Sequence, residues 1–232
     1  MRAALIASVA AVSALSAPSQ TVPVFQIDFS NPGLSPSHWT LTLQPDGSGH
    51  FRSDRIRSEQ SSAPVANALS PAAPNAAGRG LEARDVDRDI RVSEEFAQRV
   101  FQTAQRKRWF GGECESHLKV AFQGVKKLSY DGPDGHGSCE FNYSKDKEIQ
   151  ELGEALESVA TTILEGARLE MRLQHDRLGL DEETEYLVEA AGNGEARQIC
   201  AIREILERLA DNPALMERVR RRARELLARA DR

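Results

Sequence analysis

The chain has 232 residues, of which 40% are hydrophobic and 28% are charged, as in soluble globular proteins with room for a substantial core. Its formal net charge is −5, so the chain lacks the large excess of positive charge that marks proteins acting on nucleic acid or acidic lipid. We expect no nucleic-acid partner, and either one domain with an appendage or two small domains.

The first residues follow the order of a secretory signal peptide. A positive charge at Arg2 precedes an apolar run at 3–15 and a small, polar stretch broken by Pro18. The alternative is a buried N-terminal helix. We predict a signal peptide at 1–19 and a secreted or periplasmic mature protein. We expect no stable membrane insertion of the mature chain, because the run is short for a bilayer-spanning helix.

Alternating apolar residues predict strands in the first part of the mature chain. The alternation at 24–29 is followed by a second one at 39–43 and by a Pro-Asp-Gly turn cluster, so residues 38–54 predict a hairpin. Residues 58–82 hold almost no large apolar side chain, and we interpret them as a flexible excursion. The run at 88–92 then predicts a strand that returns to the same sheet.

The stretch from Gly112 to Ser144 is interpreted as the centre of the sheet. It contains two strand-like runs joined by glycine turns, with Cys114 and Cys139 bracketing them. Disulfides persist in exported proteins, and a Cys114–Cys139 bridge would close a loop of about 25 residues, worth roughly 3.5 kcal/mol in the chain-entropy model. The third cysteine, Cys200, lies among residues at helical spacing and is predicted to be free.

Helical periodicity surrounds this centre. Ser93 is a good N-cap for a first helix that Gly111 and Gly112 end, and apolar residues at three-and-four spacing predict a second helix at 146–168. The remaining residues, 169–232, are predicted to be helical. Their expected helices span 181–191 and 196–210, followed by a last helix that begins after an Asn212 cap with Pro213.

Three groups of residues are candidates for a catalytic, metal-binding or phosphate-binding site. Ser144 and Lys147 match the S-x-x-K pattern of penicillin-binding enzymes, but the S-D-N and K-T-G elements are absent, so a helix cap is the alternative that we favour. Side chains of metal-ligand type crowd one glycine-rich loop, but their spacing does not match an EF-hand and zinc would need further ligands, so a tight turn is the interpretation that we favour. These residues are Asp131, Asp134, His136 and Cys139.

The last helix is rich in arginine and could bind phosphate, although its apolar stripe places the arginines on the solvated face. The arginines are Arg218, Arg220, Arg221, Arg222, Arg224 and Arg229. The five histidines are scattered, and the motifs G-x-S-x-G, H-E-x-x-H and the Walker loop are all missing. The sequence therefore gives no catalytic residue, metal ligand or cofactor site.

The pattern as a whole predicts an α+β fold with a mainly antiparallel sheet covered by two amphipathic helices. An α+β domain at 20–168 would be followed by a helical region at 169–232. We expect an exported binding or interaction module, and the sequence does not identify its partner, for which a protein is one option. The alternatives are a hydrolase whose site comes from residues distant in sequence, and a protease-inhibitor-like domain. A pocket of ionisable groups would favour the enzyme, and an exposed apolar patch or sheet edge would favour binding.

Overall fold

The computed structural model describes residues 22–54 and 85–230. The predicted signal peptide at 1–19 and the predicted excursion at 58–82 lie outside these residues. Within them the chain forms a six-stranded antiparallel sheet and five α-helices, which confirms the predicted α+β class.

The elements follow the chain in the order β-strands, one helix, a hairpin and then helices. The strands are β1 (Val24–Ser30), β2 (His38–Leu43), β3 (Ser48–Asp54), β4 (Val86–Arg91), β5 (Val125–Gly132) and β6 (Gly135–Phe141). The helices are α1 (Glu94–Arg106), α2 (Lys147–His175), α3 (Leu180–Asn193), α4 (Arg203–Ala210) and α5 (Glu217–Ala230).

The sheet has the strand order β4-β3-β2-β1-β5-β6. Period-two alternation gives it one apolar face, and the register carries that face across the strands, as where Phe25 pairs with both Leu43 and Tyr130. The predicted hairpin at 38–54 is confirmed as β2 and β3. Because all pairings are antiparallel, the end of β1 lies at the same edge as the start of β5 and the end of β6.

Helices α1 and α2 pack on the apolar face of the sheet, as predicted. The Ser93 side chain accepts a hydrogen bond from the Phe96 N–H at the start of α1, and Asp146 caps α2 in the same way. The resulting core includes Phe96, Val100 and Leu156 together with the strand aromatics. The opposite face of the sheet is polar and is not covered by any described helix, the usual arrangement in antiparallel sheets.

A second hydrophobic cluster lies beyond the sheet. Helix α2 continues past residue 168 to His175, and its Leu169 packs with α3, α4 and α5 rather than with the sheet. The C-terminal helices therefore pack on one another and on α2, as the apolar stripes predict.

Two predicted helices differ from the structure. The last helix begins at Glu217 and not after Asn212, because the Asn212 side chain accepts from the Ala214 N–H and closes a local turn. The helix predicted at 196–210 is a short 3₁₀ turn at Ile199–Ile202 followed by α4. Gln198, just before this turn, has φ 56° and uses its amide oxygen to accept from the Ser93 N–H.

Helix α1 ends at Arg106, before the glycines that were predicted to end it. Arg108, Trp109 and Phe110 then adopt φ values of 50°, 61° and 60°, a left-handed turn that costs L-residues about 1–2 kcal/mol each. The Phe110 ring is buried, and the Trp109 ring stacks on Tyr130 at 4.4 Å. We attribute the stability of this turn to these two aromatic anchors.

The two strands of the hairpin occupy only the second part of the stretch from Gly112 to Ser144. Strand β5 begins only at Val125, and the residues before it form an irregular, exposed loop rather than part of the sheet. The alternation of Leu118, Val120 and Phe122 resembles that of a strand, but these side chains face solvent.

Candidate functional site: an exposed apolar loop

The most unusual surface in the described residues is the loop at 117–123, called the apolar loop below. All seven of its residues are exposed. Leu118, Val120 and Phe122 are 51%, 39% and 58% exposed, and they are three of the six large apolar residues that the described chain leaves exposed. Apolar side chains clustered in this way on a surface mark an interaction site more often than scattered ones do.

The N-terminal side of the apolar loop is fixed by a cystine and by a backbone hydrogen bond. The structure joins Cys114 to Cys139 of β6, with a Cα–Cα distance of 5.7 Å, in agreement with the predicted disulfide. Two residues later the Ser116 N–H donates to the Tyr143 carbonyl at 2.9 Å. The chain entering the loop is therefore attached to the end of β6 at two points.

Glu115 lies between these two points and acts as a backbone clamp. Its carboxylate accepts from the N–H groups of Asn142 at 2.7 Å, Ser116 at 2.7 Å and His117 at 3.2 Å. These hydrogen bonds, that of Asn142 first, hold the pKa of Glu115 below its ordinary value of 4.5 because they favour the ionised form. One ionised side chain thus couples the loop to the segment after β6.

Two asparagine side chains fix the C-terminal side. Asn142 accepts from the Gln123 N–H at 2.7 Å and donates to the Ala121 carbonyl at 3.3 Å, while Asn31 donates to the Gln123 carbonyl at 3.2 Å. Asn142 also begins an N-x-S sequence of the kind that is glycosylated, but here its amide is engaged with the loop.

Gly124 completes the exit from the loop. Its φ of 114° is a conformation that side chains rarely adopt, and a β-carbon there would lie 2.5 Å from the Phe29 ring. The glycine allows the backbone to rest directly on the aromatic core before β5 begins. The apolar loop is therefore fixed at both ends while its side chains point to solvent.

The loop bends at Lys119. The Val120 N–H donates to the Leu118 carbonyl at 2.9 Å, which closes a three-residue γ-turn with Lys119 at its apex. His117 pairs with Glu113 at 2.6 Å, whereas Lys119 makes no ion pair among the described residues. A second turn contributes to the same edge of the sheet: Leu34, 49% exposed, donates its N–H to the carbonyl of Asn31.

The other groups predicted from sequence do not form a site with this loop. Asp131 and His136 face each other on the open face of the β5–β6 hairpin, whereas Cys139 lies on the helix side in the disulfide. In the part of the chain that the structure describes, no three His, Cys, Asp or Glu side chains are arranged to hold a metal ion.

The serine and arginine candidates have structural partners. Ser144 is buried, and its hydroxyl accepts from the N–H of Asp146, the residue that caps α2, so Ser144 supports the cap without being the cap itself. Arg222 contacts Asp181 at 2.7 Å, and Arg229 contacts Glu225 at 2.9 Å. Arg218, Arg220 and Arg224 also pair with acidic side chains, so most of the positive charge of α5 is neutralised within the protein.

A groove of about 1130 Å³ runs along the edge strand β4 and is the best support for an enzyme. Its Arg88 is paired with Glu170 at 2.5 Å, and its His50 contacts Asp87 and Asp89, each at 2.9 Å, through its two ring nitrogens. The hydrogen bond between the His50 ring and the accepting Asp89 carboxylate raises the pKa of His50, and burial raises the pKa of the Cys200 thiol. Both ring nitrogens of His50 are therefore engaged by carboxylates of this protein, so neither is free to take a proton from a substrate.

Comparison of the sequence with protein-family models and with curated proteins finds no match. In residues 22–54 and 85–230, none of the helices has both the length and the apolarity to cross a bilayer.

Proposed function

We propose that this protein is an exported, non-enzymatic binding module that docks a protein partner through the apolar loop. The observation that carries the proposal is the combination of exposure and restraint. Leu118, Val120 and Phe122 face solvent on a backbone that a disulfide, the Glu115 carboxylate and the Asn142 amide hold in place. A preorganised loop loses little conformational entropy when it binds, so more of its contact energy appears as affinity.

The export part of the proposal is supported by the signal-peptide pattern at 1–19 and by the cystine, which is typical of oxidising compartments. The enzyme alternative has less support, because Arg88 in the β4 groove is paired with Glu170 and His50 is paired with Asp87 and Asp89.

Site-specific photo-cross-linking in the native compartment tests the proposal. A photoreactive phenylalanine replaces Phe122 in one variant and Leu178 in another; Leu178 is 80% exposed and lies between α2 and α3. We expect one discrete cross-linked product from position 122 and none from position 178. The product should disappear when Leu118→Ser and Val120→Ser are added, since these changes remove the apolar contacts. Identical products from both positions, or none from position 122, would contradict the proposal.

A further inference from the structure

The apex of the apolar loop carries a cation, Lys119, that lacks an ion pair within residues 22–54 and 85–230. Lys119 is exposed and occupies the central position of the γ-turn. Three arginines of α5 provide a contrast, since Arg218, Arg220 and Arg222 each contact a carboxylate within this protein. Charge complementarity therefore points to a partner that supplies a carboxylate for Lys119, with apolar surface on either side of it.

The loop backbone offers further contacts. Among the described residues, several of its peptide groups make no hydrogen bond. The free N–H groups are those of Lys119, Ala121 and Phe122, and the free carbonyls are those of His117, Lys119, Val120 and Phe122. A chain with free backbone groups and alternating apolar side chains suits a cleft that pairs with a peptide backbone and takes its side chains into successive pockets.

We propose that the partner is an endopeptidase whose primary specificity pocket contains a carboxylate, and that Lys119 enters this pocket. Leu118, Val120 and Phe122 occupy the neighbouring apolar subsites. This inference rests on the proposed function, because it names the class of partner that docks on the apolar loop. Trypsin has a pocket of this kind, with an aspartate that selects Lys and Arg.

The restraints on the loop make it an inhibitor rather than a good substrate. Hydrolysis of the Lys119–Val120 bond would consume one water and leave a carboxylate on Lys119 and an amine on Val120. The new ends would stay close together, because Cys114–Cys139 and Ser116–Tyr143 hold one side, and Asn142 and Asn31 hold the other. Condensation can then reverse the cleavage with release of the same water, and dissociation of the products is slow.

The test measures binding of the full chain, with its disulfide formed, to trypsin that lacks its nucleophilic serine. Calorimetry or surface binding should give a Kd below about 1 µM, as expected for a preorganised interface of standard size. Lys119→Phe should weaken binding to this trypsin by roughly 100-fold, the effect of losing an interface hot spot. The same variant should gain affinity for similarly inactivated chymotrypsin, whose pocket is apolar. The matched control is Arg208→Leu, which removes an exposed cation on α4 and should leave trypsin binding unchanged.

A second measurement separates inhibition from ordinary proteolysis. Active trypsin should be inhibited, and the Lys119–Val120 bond should be cut slowly and incompletely. In the Asn142→Ala variant cleavage of this bond should be faster and complete, because one restraint is gone. Absence of binding at about 10 µM, equal binding by Lys119→Phe, or rapid cleavage of the native loop would each overturn the inference. The cross-link at position 122 would still report on the binding function, so the two ideas fail separately.

Discussion

The C-terminal helices and the loop beside the sheet differ in whether their conspicuous side chains have partners within the protein. Around the second cluster, charged side chains are paired: Arg172 contacts Glu183 at 3.0 Å and Arg222 contacts Asp181 at 2.7 Å. Beside the sheet, just before β5 begins, the apolar loop instead leaves the side chains of Leu118, Val120 and Phe122 exposed. A conspicuous pattern of charged residues can thus form ion pairs that stabilise the fold. A binding site can instead lie in a segment whose sequence resembles an ordinary strand.

The largest loss of stability should come from removing the buried ion pair between Arg172 and Glu183 in the helical region. Arg172→Met would leave Glu183, whose side chain is fully buried, without its closest cation, and should lower the free energy of unfolding by roughly 3–5 kcal/mol. The control Arg229→Met removes an exposed pair with Glu225 and should cost less than about 0.5 kcal/mol. Urea unfolding measures both, and equal losses would contradict the distinction between internal and surface charge pairs.

Removal of the disulfide should have the next largest effect. Replacing Cys114 and Cys139 together by serine frees a loop with a sequence separation of 25 and should lower stability by about 2–4 kcal/mol without a change of fold. Thermal unfolding and far-ultraviolet circular dichroism measure the two parts of the prediction. Cys200→Ala is the matched control, since this thiol is free and only partly exposed. If the double replacement has no larger effect than the control, the cystine does not stabilise the loop.

A smaller, pH-dependent effect should come from the Glu115 clamp. Because hydrogen bonds from Asn142, Ser116 and His117 lower its folded-state pKa, the clamp stabilises the protein above the ordinary value of 4.5. The stabilisation is lost as the pH falls below this value through the folded-state pKa. Glu115→Gln should therefore cost about 1 kcal/mol at pH 7, allowing for partial exposure, and almost nothing at low pH. The free energy of unfolding of both proteins should be measured by urea unfolding from low pH to pH 7. A difference between them that does not change with pH would contradict the role of the Glu115 carboxylate.

The smallest effect on stability should come from the apolar loop itself. Leu118→Ser and Phe122→Ser remove exposed side chains and should change the free energy of unfolding by less than about 0.5 kcal/mol. Phe110→Ser, at a ring that is 1% exposed, is the contrasting variant and should cost roughly 3–5 kcal/mol. A large loss from the loop variants, measured by urea unfolding, would show that these side chains belong to the core.

Local signals in the sequence predicted most of the fold. Alternation predicted β1 and the hairpin at 38–54, Ser93 predicted the start of α1, and the cysteine spacing predicted the Cys114–Cys139 pair. These features depend on neighbours in sequence, so local patterns can report them.

The candidate site could not be predicted in this way. Leu118, Val120 and Phe122 alternate as a buried strand does, and period alone does not say which face of a strand is covered. The atoms that fix the loop come from Asn31 and Asn142, and no local pattern brings these residues to the same place. The left-handed turn at Trp109 is also set by distant packing, against Tyr130.

The most direct test of the central claim is the backbone mobility of the apolar loop, measured by ¹⁵N relaxation on the full chain with its disulfide formed. We predict order parameters of about 0.85 for 117–123, the value of rigid backbone, although all seven residues are exposed. The Asn142→Ala variant should lower them by removing the hydrogen bonds to Ala121 and Gln123. Order parameters below about 0.6 in the native protein would mean that the loop is flexible, and would contradict the account of a preorganised docking site.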